Sequence, residues 1–67
     1  MNRLAATVRY SRGNTSRKQF AKLLGIHEQS LIRIEKGNNL GPKILKRLAK
    51  YYGVTITEVL DAYHEQL

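Results

Sequence analysis

Five residues of this chain fall at the spacing of one face of a single helix: Glu28, Gln29, Ile32, Arg33 and Lys36. Their chemistry matches what the edges of base pairs offer in the major groove of B-DNA. A glutamine amide both accepts and donates, which suits the adenine edge. A guanidinium takes guanine O6 and N7 together. An isoleucine packs on the thymine methyl, and a carboxylate accepts from the cytosine amine. The groove is wide enough to admit an α-helix, so Glu28, Gln29, Ile32 and Arg33 are the candidate base-reading residues. The same residues also suit an ordinary solvated helix face. Glu28 has a second role open to it, beside the positive end of the helix dipole, and His27 stands where an N-cap or turn residue belongs.

Reading side chains need a rigid support, and residues 17–36 carry the pattern for one. Phe20, Leu24, Ile26, Leu31 and Ile34 are apolar at helical spacing, Ala21 is small, and Gly25 separates the two helical runs. Two helices crossing tightly through a short turn need this combination. The small residue admits close approach, and the glycine takes a backbone conformation that other residues avoid.

The remaining elements are marked by their ends. Ser16-Arg17-Lys18-Gln19 and Thr55-Ile56-Thr57-Glu58 have the form of a capping box. Gly13, Gly25, Gly37 and Gly53 each follow a helix-like run, and Gly41-Pro42 fits a helix start. Together these signals predict five helices, at about 2–12, 17–24, 28–36, 43–52 and 56–65, and no sheet, because no stretch sustains a two-residue alternation. Each apolar stripe is too small to be stable alone, so the helices must share one core.

The segment Ser16-Arg17-Lys18-Gln19-Phe20-Ala21-Lys22-Leu23-Leu24-Gly25-Ile26, with Leu31, Ile34, Glu35 and Gly37 beyond it, resembles the helix-turn-helix of the phage repressor and Cro family. Arg9, Pro42 and the run Leu48 to Val54 match the flanking pattern more loosely. The resemblance implies an all-α, compact five-helix domain of the repressor/Cro type, spanning 1–67 as one unit. It places base reading at Glu28, Gln29, Ile32 and Arg33. The family usually carries a phosphate-bonded glutamine where this chain has Arg17. Lys36, Asn38, Asn39 and Lys43 follow the reading helix and are the other candidates for phosphate contact. In similar proteins the glutamate equivalent to Glu35 pairs with an arginine of the first helix, which points to an Arg9–Glu35 ion pair fixing the angle of the reading helix, two separate surface charges being the alternative.

Charge fits this picture. The chain carries 12 basic and 5 acidic side chains in 67 residues. All the basic ones lie between Arg3 and Lys50, and residues 1–50 hold only two acids, so that stretch is net +10 while the tail is −3. A basic body with an acidic end suggests a polyanion-binding face set apart from a second surface. Because a short motif touches few base pairs, such proteins pair about a twofold axis. The apolar residues of the last helix exceed one face, and Val59, Tyr63 and Leu67 are the candidate homodimer contact, with membership of the core as the equally open alternative.

Other classes are disfavoured. There is no cysteine, and His27 and His64 lack metal-ligand spacing, so no metal site or cofactor is expected. Nucleophile–base pairs, acid pairs on one face and phosphate loops are absent, which argues against an enzyme. No signal peptide or membrane span is apparent, and the expected location is the cytoplasm. The expectation is a DNA-binding transcriptional regulator, a repressor, with no separate sensing module, so that control comes from its concentration and from competition at operators. An antitoxin-like module that meets a partner protein, and binds its own operator as well, stays open as the alternative.

Overall fold

In the computed structural model, which describes residues 1–67, the chain forms five α-helices joined by short turns: α1 Arg3–Arg12, α2 Arg17–Leu24, α3 Glu28–Glu35, α4 Pro42–Tyr52 and α5 Ile56–His64. Their ends coincide with the local signals. Ser16 Oγ accepts from the backbone N–H of Gln19 at 3.2 Å, relieving one of the free donors of α2. At α5 the capping box is complete, with Thr55 and Glu58 each accepting from the other's backbone N–H. Pro42 occupies the first turn of α4. Gly25 closes α2 in the left-handed conformation at φ 76°. There the N–H of Gly25 bonds to Lys22 O and that of Ile26 to Ala21 O, so two orphan carbonyls are satisfied.

The shared core is one cluster. Leu4 and Val8 of α1, Phe20 and Leu24 of α2, Leu31 and Ile34 of α3, Leu48 of α4 and Val59 of α5 are all buried in it. Leu31 and Leu48 are fully enclosed. α3 packs on α1 and α2, and α5 packs across α1 and α4.

That arrangement corrects one expectation. Val59 is 3% exposed, so it belongs to the core and is not available for a dimer contact. With α1 and α4 both covering α5, Val59 and Ala62 are spent inside the domain. Tyr63 is half-buried, and Leu67 is exposed.

The two chain ends meet, which local sequence signals did not announce. Asn2 and Gln66 form an isolated antiparallel bridge, the only strand-like pairing in the fold. Arg3 N–H donates to Glu65 O at 2.8 Å and Leu67 N–H to Met1 O at 3.0 Å. An exposed ion pair, Arg3–Glu65 at 2.6 Å, lies beside them. Asn2 is itself buried, and its Oδ1 caps α1 by accepting from Ala5 N–H at 2.7 Å.

Candidate nucleic-acid interface

The interface is built on α2, the turn at Gly25 and α3. Leu31 and Ile34 face inward, 0% and 2% exposed, and thereby fix the rotation of α3 about its own axis. The opposite face then presents Glu28, Gln29, Arg33 and Lys36 to solvent, with Ile32 half-buried beside them. Ala21 of α2 is buried against the crossing, where a larger side chain would push α3 away. His27 is the N-cap of α3, but its side chain makes no capping hydrogen bond. With no side chain closing it, the first turn of α3 keeps its free N–H groups and the positive end of its dipole, and Glu28 sits in that turn.

The residues expected at phosphates flank α3 along the chain. Arg17 opens α2, and Lys36, Asn38, Asn39 and Lys43 are exposed along the path from the end of α3 to the first turn of α4. Asn39 is anchored from behind, since its Oδ1 accepts from the Tyr63 hydroxyl at 3.2 Å. Tyr63 therefore ties α5 to the α3–α4 connection. The end of α3 is fixed by Gly37 at φ 77°, with Gly37 N–H bonded to Ile34 O and Asn38 N–H to Arg33 O.

Glu35 is the one acidic side chain that is buried, its side chain 4% exposed. It does not pair with Arg9. Arg12 grips both carboxylate oxygens, Nε to Oε2 at 2.7 Å and a terminal nitrogen to Oε1 at 3.1 Å. Arg17 adds a third bond, Nε to Oε1 at 3.2 Å. Arg12 also donates to Thr15 O at 3.2 Å, which holds the α1–α2 loop to the same group. Helix geometry explains why Arg9 is excluded. Leu4 and Val8 are buried at a four-residue step, and Arg12 continues that stripe toward α3, whereas Arg9 is turned about 100° away from Val8 and lies in solvent. The stripe 4–8–12 was the available signal for Arg12, and it was masked by the resemblance that pointed to Arg9.

Burial acts to raise the Glu35 pKa, as it disfavours the charged form. The hydrogen bonds and charges of Arg12 and Arg17 outweigh it, and the carboxyl is held below its ordinary value of 4.5. Glu35 is thus ionised at neutral pH and joins α1, the start of α2 and the end of α3 through charge-assisted bonds.

Two short helices crossed through a left-handed glycine, with the second presenting a polar face and exposed basic residues on the segments flanking it, define a DNA-binding helix-turn-helix domain of the kind found in transcription regulators. The helix-turn-helix family model matches residues 9–59, and the chain belongs to this family, in its repressor/Cro-type form. No curated protein and no solved structure matches the chain. No helix is long and apolar enough to cross a membrane.

Proposed function

We propose that the protein is a sequence-specific regulator of double-stranded DNA, a repressor acting in the cytoplasm as a homodimer, that reads the major groove with α3. The observation that carries this is the rotation of α3. Its buried Leu31 and Ile34 leave Gln29 and Arg33 exposed together, one turn apart, on a helix whose flanking segments carry exposed basic residues. Gln29 is assigned to an adenine edge and Arg33 to a guanine, with Ile32 on a thymine methyl and Glu28 on a cytosine amine. Arg17, Lys36, Asn38, Asn39 and Lys43 hold phosphates and set the register without reading sequence. Twofold pairing uses the accessible part of the C-terminal surface, where Tyr63 and Leu67 remain, and places two half-sites about one helical turn apart.

Selection of binding sites from random duplex DNA tests the proposal. An inverted repeat with half-site centres about 34–36 Å apart is the expected result. Gln29→Ala and Arg33→Ala then relax preference at separate base pairs, each by ~1–3 kcal/mol, while Lys36→Ala weakens all sequences alike. Salt-sensitive binding with no enriched motif would overturn the assignment of α3 as a reader.

A further inference from the structure

α4 carries a second basic surface that the reading helix does not use. Lys43, Lys46, Arg47 and Lys50 recur at the spacing of one helix face, and all four are exposed. They alone line one shallow depression. α4 contains no acidic residue, and none of the four takes part in an ion pair. Like charges at i, i+3 and i+4 repel, so this face costs the helix some stability. Intramolecular partners do not offset that cost.

The position of the stripe indicates what would. Its first member lies in the opening turn of α4, directly after the connection that bears Asn38 and Asn39. Farther along, Arg47 reaches back to the turn of the motif, where its guanidinium would lie 3.3 Å from a Cβ placed on Gly25. The stripe is therefore continuous with the segments flanking α3 at both places, yet it belongs to a different helix. From residue 43 to residue 50 it extends about 10 Å at 1.5 Å per residue. That length is about three steps of axial rise along one DNA strand, the span of four successive phosphates.

We propose that Lys46, Arg47 and Lys50 form a second phosphate-binding surface that holds duplex DNA beyond the base pairs read by α3. The proposal rests on the DNA-binding function above and lengthens its footprint. Binding there adds affinity and salt dependence without adding sequence preference, since phosphates carry no sequence information directly.

The test measures affinity against salt by fluorescence anisotropy for two duplexes carrying the same selected site, one trimmed to the bases read and one extended by about ten base pairs on each side, roughly one helical turn. The variants are Lys46→Gln/Arg47→Gln/Lys50→Gln and, because Arg47 covers Gly25, Lys46→Gln/Lys50→Gln with Arg47 retained. On the long duplex the triple variant lowers the slope of log K against log salt by about 2–3, near 0.9 for each phosphate that is no longer neutralised. The double variant lowers it by about 2. On the trimmed duplex both variants match the wild type, and the selected motif is unchanged on either. Equal slopes for wild type and variants on the long duplex would overturn the proposal. So would a loss of the same size on both duplexes, which would place these cations inside the ordinary footprint. A change in sedimentation with no change in slope would overturn it in favour of a protein-docking face. Each of these outcomes leaves α3's sequence preference intact, whereas failure of the primary function would appear as its absence in the wild type.

Discussion

The Arg12–Glu35–Arg17 cluster makes a quantitative prediction about stability. Removing a single partner from a buried ion pair costs ~3–5 kcal/mol, because the surviving charge stays buried without compensation. Arg12→Met removes two of the three hydrogen bonds to Glu35 but leaves Arg17 at 3.2 Å. The expected loss therefore falls below that range, at ~2–3 kcal/mol. Arg17 is 46% exposed against 17% for Arg12. Solvent screens the exposed pair, so Arg17→Met should cost only ~0–1 kcal/mol. Arg9→Met removes an unpaired surface charge and should stay within ~0.5 kcal/mol.

These differences are large for this domain. At ~0.05–0.15 kcal/mol per residue, 67 residues give a total stability of ~3–10 kcal/mol. Urea unfolding followed by circular dichroism at neutral pH resolves them, because with a slope of ~1 kcal/mol/M a loss of 2 kcal/mol moves the midpoint by ~2 M. The cycle of Arg12→Met, Glu35→Met and the double variant should give a coupling energy of ~1.5–3 kcal/mol. A coupling below ~0.5 kcal/mol, within the error of additivity, would refute the argument. It would equally fail if Arg9→Met proved as costly as Arg12→Met.

Acid pH probes the same carboxylate. Because Glu35 titrates lower in the folded state than its ordinary 4.5, its contribution is present above that value and is lost as pH falls through the lower folded pKa. Glu35→Gln should flatten the fall in urea midpoint below about pH 4.5, and an unchanged acid limb would count against the assignment. Tyr52 behaves in the opposite sense. Its hydroxyl is buried without a hydrogen-bond partner, and that burial raises its pKa above the ordinary 10.0. Tyr52→Phe should be neutral or stabilise by up to ~1 kcal/mol near pH 7, since a buried unpaired hydroxyl is a liability. It should also reduce the loss of stability above pH 10.0, where the wild-type unfolded state ionises first. Thermal melts on both sides of that pH check this. Finally, Gly25→Ala places a Cβ at φ 76° and 3.3 Å from Arg47, and should cost ~1–2 kcal/mol for the left-handed conformation alone, read from the same urea midpoints.

The helices were legible because their limits are written locally. Ser16, Thr55, Pro42 and the four positive-φ glycines act on neighbours within about one turn, and each boundary read from them falls within one residue of the structure. The inward rotation of α3 was legible for a similar reason, since Leu31 and Ile34 define its buried face within a single turn. Features that depend on which faces meet in space were not. Residue 2 is read from the sequence as the start of the first helix, and its enclosure by residues 65–67 is what makes Asn2 a buried cap instead. Val59 looks like surplus apolar surface until α1 and α4 are both seen to cover α5. The partner of Glu35 required knowing which arginine of α1 lies over the end of α3, and the choice between residues 9 and 12 is a rotation about the helix axis that the charge pattern does not specify.

That rotation has a consequence for the phosphate role proposed for Arg17. Arg17 does not stand free at the start of α2. Instead two guanidiniums share one carboxylate, so the cluster keeps a net charge of +1. Arg12 takes the bidentate geometry and the deeper position, and it satisfies both Glu35 oxygens by itself. Arg17 contributes one longer bond from a side chain that is nearly half exposed. If a phosphate draws Arg17 away, Glu35 keeps its stronger partner and the end of α3 stays fixed. The arrangement thus separates two tasks that a single arginine would have had to combine. Arg12 fixes α3 to α1, and in the role proposed for it Arg17 stays available to meet the phosphate backbone at the N-terminus of α2, where the free N–H groups of the helix would add to its charge.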